Sequence, residues 1–388
     1  MMKTALPGPG GVRCGIDDLS GIAPLISGAA VGLVTNMTGV TLEMTLSSDA
    51  VARIADVKYL FSPEHGLRGE RQAGEGDSVY KDRSTGAEII PLYGGRTAPD
   101  ADTLSKLDFL LFDIQDAGAR YYTYLSTLTD CMKACADMKT PMIVFDRPNP
   151  ISLERIEGSI LDERFSSFVG RYAVPTRYGL TIGEYARYIC GSRDIGCDLR
   201  VVPCSGLTRE MYYDDTGLCF INPSPNINSV ECVVNYIATC LFEGTNISEG
   251  RGTTTPFCVA GAPFVDPDAL ASAMDGYDLP GVVIRPAYFT PVCSKYAGES
   301  CGGVQLHVTD RDAYRPFETG LRLFDTMRSL FPEMTVRNGI DLLFGSDRLR
   351  TELIGKEKIG EFLKSNSEPL AKWAEEAERY RIYRSSAN

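Results

Sequence analysis

The residues best equipped for chemistry lie close together early in the chain. Ser62-Pro63-Glu64-His65-Gly66-Leu67-Arg68-Gly69-Glu70 brings a carboxylate, an imidazole and a guanidinium into five positions. The chain has only two histidines, and one of them is here. A carboxylic acid can give or take a proton, an imidazole titrates near neutrality, and a guanidinium offers forked donors to a carboxylate. Gly66 and Gly69 let the backbone turn around them. The stretch therefore reads as a site for acid–base work on an acidic or polyhydroxylated ligand.

Three further polar segments carry the same kind of residue. They are Asp113, Gln115, Asp116 and Arg120; Asp146, Arg147 and Asn149; and the Gly-rich run 243–253, which holds Glu243, Asn246 and Arg251. Asn226 sits in a turn of alternating prolines, Asn222-Pro223-Ser224-Pro225-Asn226, which cannot be regular structure. The elements that would position these groups are short apolar runs at 31–36, 57–61, 88–93, 109–113 and 142–146, alternating with segments of helical spacing such as 44–55 and 121–138. This alternation predicts βαβ units and a mostly parallel, doubly wound sheet covered on both faces. Glu64, Asp113 and Asp146 all follow the carboxyl ends of such strands. In open α/β sheets the ligand crevice lies outside those ends, so the segments are expected to meet in one cleft. Asp and Asn after strands also cap helices and close turns, and Asp113, Asp146 and Asn149 fit that role as well.

Beyond residue 150, helices are expected at 181–190 and 230–242 and a strand at 199–203. Composition shifts at Gly261-Ala262-Pro263. We place a domain boundary there, with residues 1–260 as the α/β domain and 261–388 as a smaller α+β domain. A chain of 388 residues suits two domains.

Composition and absent motifs narrow the function. A net charge of −12 argues against nucleic acid and anionic membranes as partners. No run approaches the ~18 apolar residues of a spanning helix. Residues 1–15 lack the apolar core of an export signal, so the expected compartment is cytoplasmic, or exported if a signal has been removed. The twelve cysteines are scattered in apolar context and read as reduced, buried thiols. There is no phosphate loop of the G-x-x-x-x-G-K-[ST] type. Thr35-Asn36-Met37-Thr38-Gly39 replaces the dinucleotide fingerprint after the first strand, and no G-x-S-x-G elbow occurs. No cofactor is expected. A hard cation held by Glu64, Asp113 and Asp116 is the metal-dependent alternative.

What remains is a cleft of carboxylates, amides, tyrosines and arginines. Amides and acids suit a sugar's hydroxyls, Tyr121 and its neighbours can stack on rings, and carboxylic acids in contrasting environments are the machinery of glycoside hydrolysis. A protein that binds such a saccharide without cleaving it would use the same groups.

Four segments in order resemble one family. Ser62-Pro63-Glu64-His65-Gly66-Leu67-Arg68-Gly69, Phe112-Asp113-Ile114-Gln115-Asp116-Ala117-Gly118-Ala119-Arg120-Tyr121-Tyr122-Thr123-Tyr124, Asp146-Arg147-Pro148-Asn149-Pro150 and Glu243-Gly244-Thr245-Asn246-Ile247-Ser248-Glu249-Gly250-Arg251-Gly252-Thr253 are similar to the exo-β-N-acetylmuramidases of the NamZ type. The resemblance implies a Rossmann-like amino-terminal domain, a smaller carboxy-terminal one and a site in the cleft between them. It also implies cofactor-free release of N-acetylmuramic acid from the non-reducing end of peptidoglycan fragments. On that reading Glu64 is the general acid, its pKa raised by partial burial, and His65 orients it. Asp116, Asp113 or Glu243 acts as base or electrostatic stabiliser. Arg68, Arg120 or Arg251 clamps the lactyl carboxylate, and Gln115, Asn149, Asn226 and Asn246 bind the N-acetyl group and hydroxyls.

Overall fold

The computed structural model of the chain describes residues 11–64, 67 and 80–386. Twelve strands are present among them: β1 (Ala30–Thr35), β2 (Asp56–Ser62), β3 (Tyr80–Lys81), β4 (Glu88–Pro91), β5 (Phe109–Asp113), β6 (Met142–Phe145), β7 (Glu157–Ile160), β8 (Pro175–Arg177), β9 (Leu199–Val202), β10 (Val259–Ala262), β11 (Val282–Phe289) and β12 (Cys301–Val308). Seven form one sheet in the order β3-β4-β2-β1-β5-β6-β9. Every pairing in it is parallel except β3 with β4.

Period-2 alternation divides the inner strands between two cores. Val34, Leu110, Phe112, Met142 and Val144 face one side, where the helix Tyr124–Met138 lies. Val31, Leu33, Leu111, Ile143 and Phe145 face the other. Burial on both faces explains why these runs read as continuously apolar. At Gly32 on the central strand an added Cβ would come within 2.7 Å of Leu107 and Phe61 side chains, so only glycine admits that packing.

The register aligns the strand ends that matter. Thr35 pairs with Asp113, Val34 with Phe61, and Phe112 with Val144. Residues just past β2, β5 and β6 therefore emerge at the same edge of the sheet.

Past residue 230 the layers change. β10, β12 and β11 form a three-stranded antiparallel sheet. The helix Pro267–Asp275 packs on it, and Pro316–Leu330 lies between that helix and Val230–Thr239. At Gly320 a Cβ would lie 2.2 Å from the Ala238 carbonyl oxygen, so the two helices cross with backbones nearly touching. The final helix is Ser367–Glu378, preceded by Asn366. Its Trp373 packs edge-on to Tyr188. The tail then returns to the first sheet, where the Tyr383 hydroxyl donates to Asp146 Oδ2 over 2.6 Å. None of the described helices is long and apolar enough to cross a membrane.

Candidate active site

β2 delivers Glu64 to the crevice edge, where Thr123 Oγ1 donates to its Oε2 over 2.8 Å. Thr123 immediately precedes the helix Tyr124–Met138, so the sheet and its covering helix together fix the carboxylate. Opposite lies the turn Cys240–Gly244, which continues the helix Val230–Thr239 and carries Glu243. Glu64, Glu243 and Arg251 line one cavity of about 160 Å³, walled by Tyr121, Tyr122, Tyr236 and Phe257.

The charges behind Glu243 form a chain. Arg251 Nη2 donates to Glu243 Oε1 over 2.7 Å, and Arg251 Nε lies 3.3 Å from Glu249 Oε1. Glu249 is buried, and Lys295 Nζ donates to its Oε2 over 2.9 Å and to the carbonyls of Phe242 and Ile247. Burial raises the Glu243 carboxyl above its ordinary value; Arg251 opposes the rise and Glu249 adds to it. The Arg251 guanidinium also lies 5.0 Å from the Phe257 ring centre. The aromatic wall is rigid. Tyr121 donates its hydroxyl to the Tyr236 and Ile237 carbonyls, and Tyr236 packs edge-on to both Tyr121 and Phe257.

Other residues expected in the cleft are elsewhere. Asp113 is fully buried and makes a two-pronged ion pair with Arg147, at 2.6 and 2.8 Å. The pair ties β5 to the segment after β6 beneath the crevice. Arg120 is also buried. Its guanidinium donates to the carbonyls of Ser159, Val174, Leu343 and Phe344, and burial without a carboxylate partner draws it down to about 10. It crosslinks segments far apart in sequence and does not line the cavity. Asp116 accepts from Gly118 N over 2.7 Å and from the Tyr178 hydroxyl, while its Oδ1 has no partner. Burial pushes its carboxyl up to about 6. It too does not line the cavity.

The amides divide similarly. Gln115 Nε2 donates to the carbonyls of Asp116 and Pro148, and Asn149 bridges the Leu180 carbonyl and Ile151 N. Asn246 pairs with the backbone of Glu333 and Thr335. These three amides are structural fasteners. Asn226 lines a neighbouring groove, not the cavity itself. His65 and Arg68 lie outside the described residues.

Among the described residues no three carboxylate, imidazole or thiol groups cluster as metal ligands. With Asp113 committed to Arg147 and Asp116 to Tyr178, Glu64 has neither as a co-ligand, and the set proposed for a cation is not assembled.

Some residues in and behind the cavity carry no visible signal in the sequence. Tyr236 sits in a helix whose spacing reads as core, and Lys295 lies in an irregular segment far along the chain. Thr123 and Glu249 were inside segments already marked as informative, but their side-chain contacts depend on the fold.

Comparison with known proteins accounts for both halves of this arrangement. The family description "Exo-beta-N-acetylmuramidase NamZ, N-terminal" matches residues 31–231, and its C-terminal counterpart matches residues 234–383. The chain belongs to the NamZ family. A peptidoglycan β-N-acetylmuramidase NamZ from Bacillus subtilis (strain 168) is 41% identical over 378 residues, 96% of this chain and 91% of that protein. Two crystal structures of DUF1343 family proteins from Bacteroides fragilis share the NamZ-family fold seen here. One has a TM-score of 0.89 at 30% identity over 97% of this chain and 100% of its own. The other has a TM-score of 0.77 at 28% identity over 97% and 99%. The two-domain α/β architecture, mostly parallel sheet plus smaller antiparallel sheet, matches these neighbours throughout the chain.

Proposed function

We propose that the protein is an exo-β-N-acetylmuramidase, a glycosidase that releases N-acetylmuramic acid from the non-reducing end of peptidoglycan fragments. Membership of the NamZ family supports the reaction class. The observation that carries the chemistry is that Glu64 and Glu243, from opposite sides of the crevice, face one tyrosine-walled cavity with Arg251 between Glu243 and Glu249.

In this reading Glu64 protonates the departing glycosidic oxygen as the bond from the sugar's anomeric carbon breaks. Thr123 holds one oxygen of the carboxylate, leaving the other to face the substrate. Positive charge develops on the ring, and Glu243 stabilises it or deprotonates the attacking water. Arg251 favours the ionised form of Glu243 against its burial and presents its remaining donors to the lactyl carboxylate. Tyr121, Tyr122 and Tyr236 form the apolar wall against the sugar. Residues from 261 onward close the cleft on the far side.

The test is incubation of the purified protein with a chromogenic β-N-acetylmuramide and with the matching β-N-acetylglucosaminide. Release from the muramide alone is expected. Folded protein that releases chromophore from neither overturns the assignment.

A further inference from the structure

The outer face of the three-stranded sheet carries a second opening beside the cavity. Val259 on β10, Gln305 on β12 and Arg285 on β11 are cross-strand neighbours, and with Ala287 they floor a groove of about 700 Å³. That lies within the ~300–1,000 Å³ of ordinary small-ligand sites.

The groove and the cavity lie on two sides of one shared wall. Ser224 and Ile227 line the cavity, while Pro225 and Asn226, between them in sequence, line the groove. Arg251 lines the cavity and the next residue, Gly252, lines the groove. The shared wall is firmly built. Val292 N donates to the Gly252 carbonyl over 2.8 Å, and Asn228 Nδ2 donates to the Thr254 carbonyl over 3.2 Å. Gly252 has φ +80°, and a Cβ there would lie 2.5 Å from the Cys293 carbonyl oxygen, so only glycine permits this approach.

The lining chemistry is specific. Thr253, Thr254 and Thr255 supply hydroxyls, and Asn226 and Gln305 supply amides. Phe289, on the same face of β11 as Arg285 and Ala287, offers a ring. Arg285 is held across the sheet: its Nε donates to His307 Nε2 over 2.9 Å and its Nη2 to Gln305 Oε1 over 2.6 Å. Hydroxyls, amides and one aromatic face suit a sugar chain. A fixed guanidinium suits a carboxylate on that chain.

We infer that this groove holds the saccharide on the leaving side of the scissile bond, an N-acetylated amino-sugar oligosaccharide bearing a carboxylate. Phe289 packs against a ring of it and Arg285 pairs with its acid group. The inference rests on the glycosidase reading above and adds the site that selects long substrates over short ones.

The experiment compares kcat/KM for peptide-free muramyl oligosaccharides, for the same fragments with peptide stems, and for the small chromogenic muramide, in wild type, Phe289→Ala and Arg285→Ala. Arg285 is exposed and Phe289 half-buried at the end of its strand, and thermal melting verifies folding. The ratio of kcat/KM for long saccharide over small muramide is expected to fall at least about tenfold in each variant, since a tenfold ratio is the scale of one well-made contact. An unchanged ratio in an active enzyme overturns the groove while leaving the glycosidase reading intact. A loss confined to peptide-bearing fragments overturns the saccharide assignment. Wild-type protein that cleaves none of the three overturns the glycosidase reading and this inference with it.

Discussion

Thr123 Oγ1 donates to Glu64 Oε2 over 2.8 Å, a bond that joins the residue just before a helix to the residue just past a strand. It sets the direction of a carboxylate that the strand alone leaves free to rotate. Glu64→Gln keeps the shape and removes the transferable proton. Turnover of the chromogenic muramide is expected to drop about 10²–10⁴-fold, the usual range for a general acid, with the melting temperature nearly unchanged. Near-wild-type turnover would assign the proton to another group.

Arg251 sets the protonation of Glu243. Burial raises that carboxyl and Arg251 pulls it back, so Arg251→Ala removes the opposing cation and the carboxyl rises further. If Glu243 acts ionised, activity is present above its pKa, and the acidic limb of the kcat/KM profile moves to higher pH. Arg251→Lys restores part of the displacement, because a single ammonium cannot reach Glu243 and Glu249 as a fork does. A limb that stays in place in Arg251→Ala rules out the coupling.

Arg120 predicts a loss of stability without a change in binding. Its guanidinium satisfies four carbonyls from β7, the segment before β8 and the end of the helix Ile340–Phe344. Arg120→Ala strands those acceptors and leaves a cavity, which should cost more than about 3 kcal/mol. Urea denaturation measures it. Unaltered unfolding together with a raised KM would instead place Arg120 against substrate.

Asp116 makes stability depend on pH. Its folded carboxyl titrates at about 6 against an ordinary 3.8, so the folded state holds its proton longer than the unfolded chain. The associated stability is complete below about pH 4 and is lost as pH rises through 6, to a limit of about 3 kcal/mol. Asp146, pushed up to about 7 by burial, adds a slope in an overlapping window. Thermal melts from pH 4 to 8 should show Asp116→Asn with a flatter profile than wild type; parallel profiles would refute the linkage.

The strands show how far local pattern reaches. Residues 57–61 and 109–113 are legible because strands buried largely on both faces are mostly apolar, with Lys58 the one exposed charge in the first, and both appear within a residue of the expected bounds. The expected helix at 44–55 contracts to Ser47–Val51, because the turns around it are fixed by Asp17 and Gly39 contacts from outside the segment. At the site, Asp113 and Glu64 were indistinguishable in sequence: each is an acid at the end of an apolar run. One lies against Arg147 with no exposure, and the other reaches the cavity.

The sequence by itself determined the alternation of strands and helices along the first 150 residues, the strand ends at which the polar segments emerge and the family to which their motifs point, because apolar periodicity and short motifs are properties of neighbouring residues. Only the tertiary structure decided which acids share the cavity. Whether a carboxylate finds a buried cation, as Asp113 finds Arg147, or faces its counterpart across a crevice, as Glu64 faces Glu243, depends on side chains brought near by packing from distant parts of the chain. Desolvation and pairing act through space, and residue spacing carries no record of them.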